Sequence, residues 1–185
     1  LGPGIRVNRI TALADNVAMN LAAGQVRVEA PIPGKAAIGV EVPNASSTMV
    51  TLRETLDTRE FMDNPSRLMI GLGQDVSGTN KYADLTRMPH LLIGGATNSG
   101  KSIGLASIIM SLLMRNTPKD LKFVMIDPKR VELSLFDGIP HLMSPVIKDA
   151  KEAPGVFRAI VREMDRRYDL LSEEGVRNID GWNAK

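Results

Sequence analysis

The sequence predicts an α/β fold built on a parallel sheet, and two observations carry that reading. Residues His90 to Gly94 form a short apolar stretch, then a glycine-rich turn spans 95–102, then apolar residues recur at helical spacing from Ile103 to Met114. A second apolar run, Leu121 to Ile126, ends in Asp127-Pro128 and is followed by two further helical stretches. Strand, helix, strand, helix is the opening of a parallel sheet covered by helices.

The turn itself is the most informative stretch. Gly95-Ala96-Thr97-Asn98-Ser99-Gly100-Lys101-Ser102 fits G-x-x-x-x-G-K-[ST], the phosphate-cradling P-loop. A chance match in a chain of 185 residues is roughly one in two hundred, so the motif is read as a nucleotide site. Gly95 and Gly100 let the backbone turn tightly and approach phosphates without a Cβ in the way. Backbone amides near Asn98 to Ser102 then point at the anion, and the first-turn amides and dipole of the following helix reinforce them. The predicted ATP-binding residues are therefore Gly95, Ala96, Thr97, Asn98, Ser99, Gly100, Lys101, Ser102 and Ile103. Lys101 is the catalytic candidate, reaching the β/γ-phosphates, and the Ser102 hydroxyl is the Mg²⁺ ligand.

Composition bounds what else the chain can be. It is 43% hydrophobic and 24% charged, an ordinary globular balance. A net charge of +2 and an isoelectric point near 9.0 permit a polyanionic partner without demanding one. The absence of cysteine excludes disulfides, thiol nucleophiles and thiolate zinc sites. The longest apolar run, Ile103 to Met114, is too short to span a bilayer, and no signal peptide opens the chain. A soluble chain is expected, or a soluble piece of a membrane-anchored protein.

In chain order, Leu1 to Gly4 reads as a loop and Ile5 to Val7 as a short strand. Ile10, Leu13, Ala14, Val17, Ala18 and Leu21 predict a helix over 11–22, with Thr11 as candidate N-cap and Gly24 as its end. Gln25 to Ala30 and Ala36 to Val42 alternate as strands about the Pro31 to Gly34 turn, and Met49 to Leu52 is a further strand candidate. Asp63-Asn64-Pro65-Ser66 is the best boundary, giving a small α/β domain at 1–64 and a P-loop domain at 65–185. Leu68 to Leu72 and Lys81 to Leu85 flank a hairpin turn, and Val131 to Phe136 reads as a short helix. Residues 151–173 form the longest helix, with Phe157, Ile160, Val161, Met164, Tyr168 and Leu171 as its buried stripe. Gly175 caps it, and Asn178 to Lys185 begins another element.

Other candidates are weaker. Asp127 ends a buried strand, so it reads either as a Mg²⁺-side carboxylate or as a near-site structural residue together with Lys129. His90 and His141 have no acidic or cysteine neighbours to make a metal set and are read as structural. Arg158, Arg162, Arg166 and Arg167 alternate with acidic residues, the pattern of a solvated ion-paired face.

Taken in order, these stretches resemble the motor region of the FtsK/SpoIIIE DNA translocases. Pro33-Gly34-Lys35, Leu52-Arg53-Glu54, Asp63-Asn64-Pro65-Ser66 and Met88-Pro89-His90-Leu91-Leu92 match family landmarks. Met125-Ile126-Asp127-Pro128-Lys129, Gly138-Ile139-Pro140-His141-Leu142, Glu163 to Tyr168 and Gly175 to Ile179 do so as well. The resemblance implies a P-loop NTPase (RecA-like) domain, incomplete at its C-terminus, preceded by a small α/β domain. It implies an ATP- and Mg²⁺-dependent homo-hexamer that moves double-stranded DNA in chromosome segregation and cell division. It further implies a bacterial protein anchored at the division septum, with division-site and recombinase proteins as partners.

Two departures qualify the match. The family usually has Gly where this chain has Asn98, and Asn tolerates a left-handed backbone better than other side chains do. The chain also stops at Lys185, before the family's next strand with Asp-Glu, so these residues alone are expected not to turn over ATP. Two other readings stay open: another P-loop DNA motor, such as a conjugative coupling or DNA-packaging ATPase, and a nucleotide-gated scaffold without turnover.

Overall fold

The computed structural model describes residues 4–88 and 90–185. The expected opening loop lies outside them except for Gly4, as does Pro89. By contacts the chain divides into two compact units, one of residues 1–64 and 71–83, the other of 65–70 and 84–185.

The first unit holds α1 (Val7–Thr11), α2 (Ala14–Asn20), β1 (Arg27–Glu29), β2 (Gly39–Glu41), α3 (Leu52–Leu56) and α4 (Arg59–Met62). Strands β1 and β2 pair antiparallel with Arg27 opposite Glu41, Val28 opposite Val40 and Glu29 opposite Gly39. The predicted single helix over 11–22 is instead two short ones, and Ile5 to Val7 leads into the first of them rather than forming a strand. Thr11 does not cap a following helix. Its hydroxyl donates to the Asn8 carbonyl at 3.1 Å, inside the turn it closes.

The strand expected at Met49 to Leu52 is also absent, because Thr51 begins α3 with a reciprocal cap. The Glu54 amide donates to the Thr51 hydroxyl at 3.2 Å, and the Thr51 amide donates to the Glu54 carboxylate at 2.9 Å. Below it, Phe61 is 1% exposed and lies 5.7 Å from the Tyr82 ring. The Tyr82 hydroxyl donates to the Thr55 carbonyl at 2.8 Å and shares a 2.6 Å bond with Thr58.

The hairpin β3 (Met69–Gln74) and β4 (Asn80–Asp84) forms as the sequence predicts. Asp75 closes its turn by accepting from the amides of Ser77 and Thr79, while Gly78 supplies the positive φ of 80°.

In the second unit, α5 (Lys101–Leu113) follows the glycine-rich turn. Its Ile109 joins Met125, Phe136 and Val146 in a buried core, with Leu105, Ala106, Leu113, Phe123, Leu133, Ile139 and Leu142 packed against them. The run predicted as a strand at 121–126 is an interrupted parallel ladder with 141–147, bridged at Phe123–Leu142 and Ile126–Ile147. The amides of Phe123 and Met143 donate to His141 and Phe123 carbonyls, and those of Ile147 and Asp127 to Met125 and Ile147 carbonyls. Between these two pairs the register slips at Ser144-Pro145, where Pro145 has no N–H to continue the ladder. The apolar run 90–94, predicted as the strand before the turn, takes no ladder, and Leu92 is 95% exposed.

His141 is buried, as a structural histidine should be. Its Nε2 lies 2.9 Å from the Asn116 carbonyl, while the Asn116 amide donates to the carbonyls of Arg67 and Leu112. The long helix α6 (Ala153–Glu173) ends before Gly175, whose φ is 65°. A short α7 (Ile179–Asn183) follows.

The stripe on α6 is a correction. Among the described residues of α6 none is buried, and Phe157 and Tyr168 are 57% and 62% exposed. Helical spacing fixes which residues share a face; it does not supply the surface that covers it. On the wet side, Glu163 takes Arg166 in a two-pronged bond at 2.7 and 2.8 Å and Arg167 at 2.8 Å.

Two predictions follow from these contacts. Phe61→Ala is expected to cost about 3–5 kcal/mol in urea unfolding, the range for a large buried aromatic. The two guanidiniums hold the Glu163 carboxyl down to about 2 from its usual 4.5. Its folded value is depressed, so its contribution is present above pH 4.5 and lost as pH falls toward 2. Carboxyl NMR of α6 should give a midpoint near 2 that returns toward 4.5 when Arg166 and Arg167 are both changed to Gln.

Candidate functional site

The turn before α5 is built to leave amides unspent. Gly100 stands at the N-cap with φ 85° and has no side chain to accept the first-turn N–H groups. Asn98 is also left-handed, at φ 63°, so the position where Gly is usual takes the same backbone region here. The loop is pinned by the Ser99 amide donating to the Ala96 carbonyl at 3.1 Å and the Gly104 amide donating to the Gly100 carbonyl at 2.8 Å. At Gly95 a Cβ would stand 2.2 Å from the Ser99 hydroxyl oxygen and 3.3 Å from its Cβ, so a larger residue there would make the Ser99 side chain turn away.

Around this loop lies a cavity of about 620 Å³ lined by all nine predicted residues, Gly95 to Ile103, together with Lys129 and Glu132. Free first-turn amides, the positive end of a thirteen-residue helix and two lysines make it an anion site. Its size suits a small ligand with several phosphates.

Asp127 does not line it. Both of its carboxylate oxygens are taken by the chain that follows: the amide of Arg130 donates to Oδ1 at 3.0 Å, and those of Val131, Glu132 and Leu133 donate to Oδ2 at 3.0, 2.9 and 2.9 Å. These bonds, the Leu133 one foremost, hold the Asp127 carboxyl below its ordinary value although burial opposes them. The helix predicted at 131–136 is instead a 3₁₀ turn at Ser134–Phe136. In this geometry Asp127 shapes the loop that carries Lys129 and Glu132.

Glu132 is the residue that sequence reading missed. Its Oε1 lies 3.4 Å from the Lys101 Nζ, and it lines the same cavity as Ser102. The Ser102 hydroxyl first, then Lys101 and the charge of Lys129, keep the Glu132 carboxyl below its usual value. It is ionised wherever nucleotide chemistry operates. The only signal in the sequence was its place five residues after Asp127, which by itself does not fix a direction. Ser102 and Glu132 together are hard oxygen donors of the kind Mg²⁺ takes, so the residues present fit that ion. Among the described residues no set of three or more His, Asp or Glu could hold a metal alone, and no helix is long and apolar enough to cross a membrane.

With the geometry in hand, the chain can be set beside known proteins. The FtsK/SpoIIIE family model matches residues 51–185, and the FtsK alpha domain model matches residues 1–44. The chain is 53% identical over 182 residues to the DNA translocase FtsK of Caldanaerobacter subterraneus subsp. tengcongensis, covering 98% of this chain and 26% of that protein. It is 51% identical over 181 residues to the DNA translocase SpoIIIE of Bacillus subtilis, covering 97% and 23%. The chain thus spans about a quarter of the length of the curated relatives it matches. Among solved structures it resembles the pCW3 conjugation coupling protein TcpA, monomer form with ATPγS, at a TM-score of 0.57 and 23% identity over 97% of this chain and 48% of that one. That likeness speaks for the fold, an α/β P-loop NTPase.

Asp127→Ala should leave the amides of Val131, Glu132 and Leu133 without their acceptor and lower the melting temperature by roughly 5 °C. Asp127→Asn, which keeps one acceptor oxygen, should fall between the two. A thermal melt followed by circular dichroism checks both.

Proposed function

Because the chain belongs to the FtsK/SpoIIIE family, we propose that it is the ATP-binding part of an ATP-driven double-stranded DNA translocase acting in chromosome segregation and cell division. The observation that carries the reading is the amide-lined cavity at the start of α5, with Lys101 and Ser102 on its wall. The relatives are DNA translocase FtsK and DNA translocase SpoIIIE, which supports DNA as the partner.

The roles follow from the geometry. Gly95 to Ile103 wrap the phosphates with backbone amides, and Lys101 neutralises the charge that builds on the β/γ-phosphates as the terminal bond breaks. The Ser102 hydroxyl would hold Mg²⁺, which would supply positive charge against the phosphates. Asp127 keeps the 129–133 loop against this site without touching the ligand. The division into a small α/β domain at 1–64 and a RecA-like domain at 65–185 belongs to the same reading. So do a homo-hexameric ring and a membrane-anchored setting at the division septum.

The test is ATP hydrolysis by the full-length protein, with and without duplex DNA, against Lys101→Ala. Stimulation by DNA that Lys101→Ala reduces at least about a hundredfold is the expected result. Turnover indifferent to DNA would move the protein to another kind of P-loop ATPase. Binding of Mg·ATP without any turnover would make it a nucleotide-gated scaffold.

A further inference from the structure

The cavity wall carries a carboxylate directly beside the lysine of the glycine-rich turn. Glu132 lies within 3.4 Å of Lys101 and lines the same cavity as Ser102, the two side chains on which nucleotide binding is read to depend. It is also fixed in place. Its own amide donates to Asp127 at 2.9 Å, and the amides on either side of it donate to the same oxygen. Its side chain is 25% exposed, so the negative charge sits at the cavity wall and is only partly screened by water.

Charge then sets a condition on the ligand. A polyphosphate without metal must approach Lys101 and Ser102 against Glu132, or pull Lys101 away from it. A polyphosphate carrying Mg²⁺ brings part of its charge already cancelled and brings a cation that Glu132 attracts. Lys129, also on the wall, favours both ligands and so does not distinguish between them.

Resting on the P-loop reading above, we propose that Glu132 is a positioning and selectivity residue that makes nucleotide binding depend on Mg²⁺, by contesting Lys101 against metal-free phosphates. Glu132→Gln keeps the size and one acceptor oxygen but removes the charge, so the loop held by Asp127 is retained while the repulsion is lost.

The experiment measures ATP binding to the full-length protein by titration calorimetry, in excess EDTA and in excess Mg²⁺. Wild type should bind metal-free ATP at least tenfold more weakly than Mg·ATP. Glu132→Gln should tighten the metal-free arm by about fivefold, the size of one unit-charge repulsion near 4 Å in a watery site. It should leave the Mg²⁺ arm unchanged or weaker, so the ratio narrows. Glu163→Gln, a carboxylate lost from the exposed face of α6, should leave the ratio where it was. An unchanged ratio in Glu132→Gln, or equal weakening of both arms, overturns the proposal while leaving the P-loop reading intact. Wild type that binds ATP in neither condition overturns the P-loop reading, and this inference with it.

Discussion

Four backbone amides converge on the carboxylate of Asp127, and the site depends on that convergence. The strand leading into Asp127 is tied to 141–147 by parallel bonds, and its Met125 is part of the core under α5. From that anchored end the chain must reverse toward the turn that precedes α5. Arg130 does so with φ 59°, a left-handed backbone that a side chain rarely adopts unless something compensates it. The compensation is the cluster of charge-assisted bonds to Asp127. Without it, Lys129 and Glu132 have no fixed position from which to face the cavity.

The opposite wall works by withholding a partner rather than by supplying one. Most helices in this chain that have a polar N-cap spend it: Thr51, Thr58 and Asn178 each accept from an amide of the turn they begin. Helix α5 starts from Gly100, which has no side chain to accept from a first-turn amide. The amides so exposed, the dipole behind them and Lys101 beside them make a concentrated positive field. The carboxylate of Glu132 is the counterweight to that field, and the balance between them decides which anions enter.

How much of this was legible depends on how local each determinant is. The P-loop, the start of α5 and the β3–β4 hairpin are written in short stretches, and residues 95–103 do line one cavity. The left-handed tolerance expected of Asn98 is likewise a property of one residue and is seen at φ 63°. Thr51-Leu52-Arg53-Glu54 also carried a local signal, the reciprocal cap, which an apolar strand reading of 49–52 overlooked. Other features depend on partners distant in sequence. The left-handed turn at Arg130 depends on the bonds that Asp127 makes with the residues after it, and the α6 stripe stays exposed for want of a surface to cover it. Glu132 belongs to this second group, since its meaning comes from Lys101 and Ser102, thirty residues earlier.

The hairpin has a further consequence for how the chain can be divided. Its turn end, residues 71–83, belongs to the compact unit of 1–64, although the linear sequence puts it on the far side of Pro65. The chain therefore passes from one unit to the other at 64, returns at 70 and leaves again at 83. A fragment excised to begin at Pro65 would take Tyr82 away from Phe61, Thr55 and Thr58, uncovering a buried aromatic and breaking two hydrogen bonds at a single cut. In this protein the place where the peptide can be severed and the place where the structure can be parted are not the same.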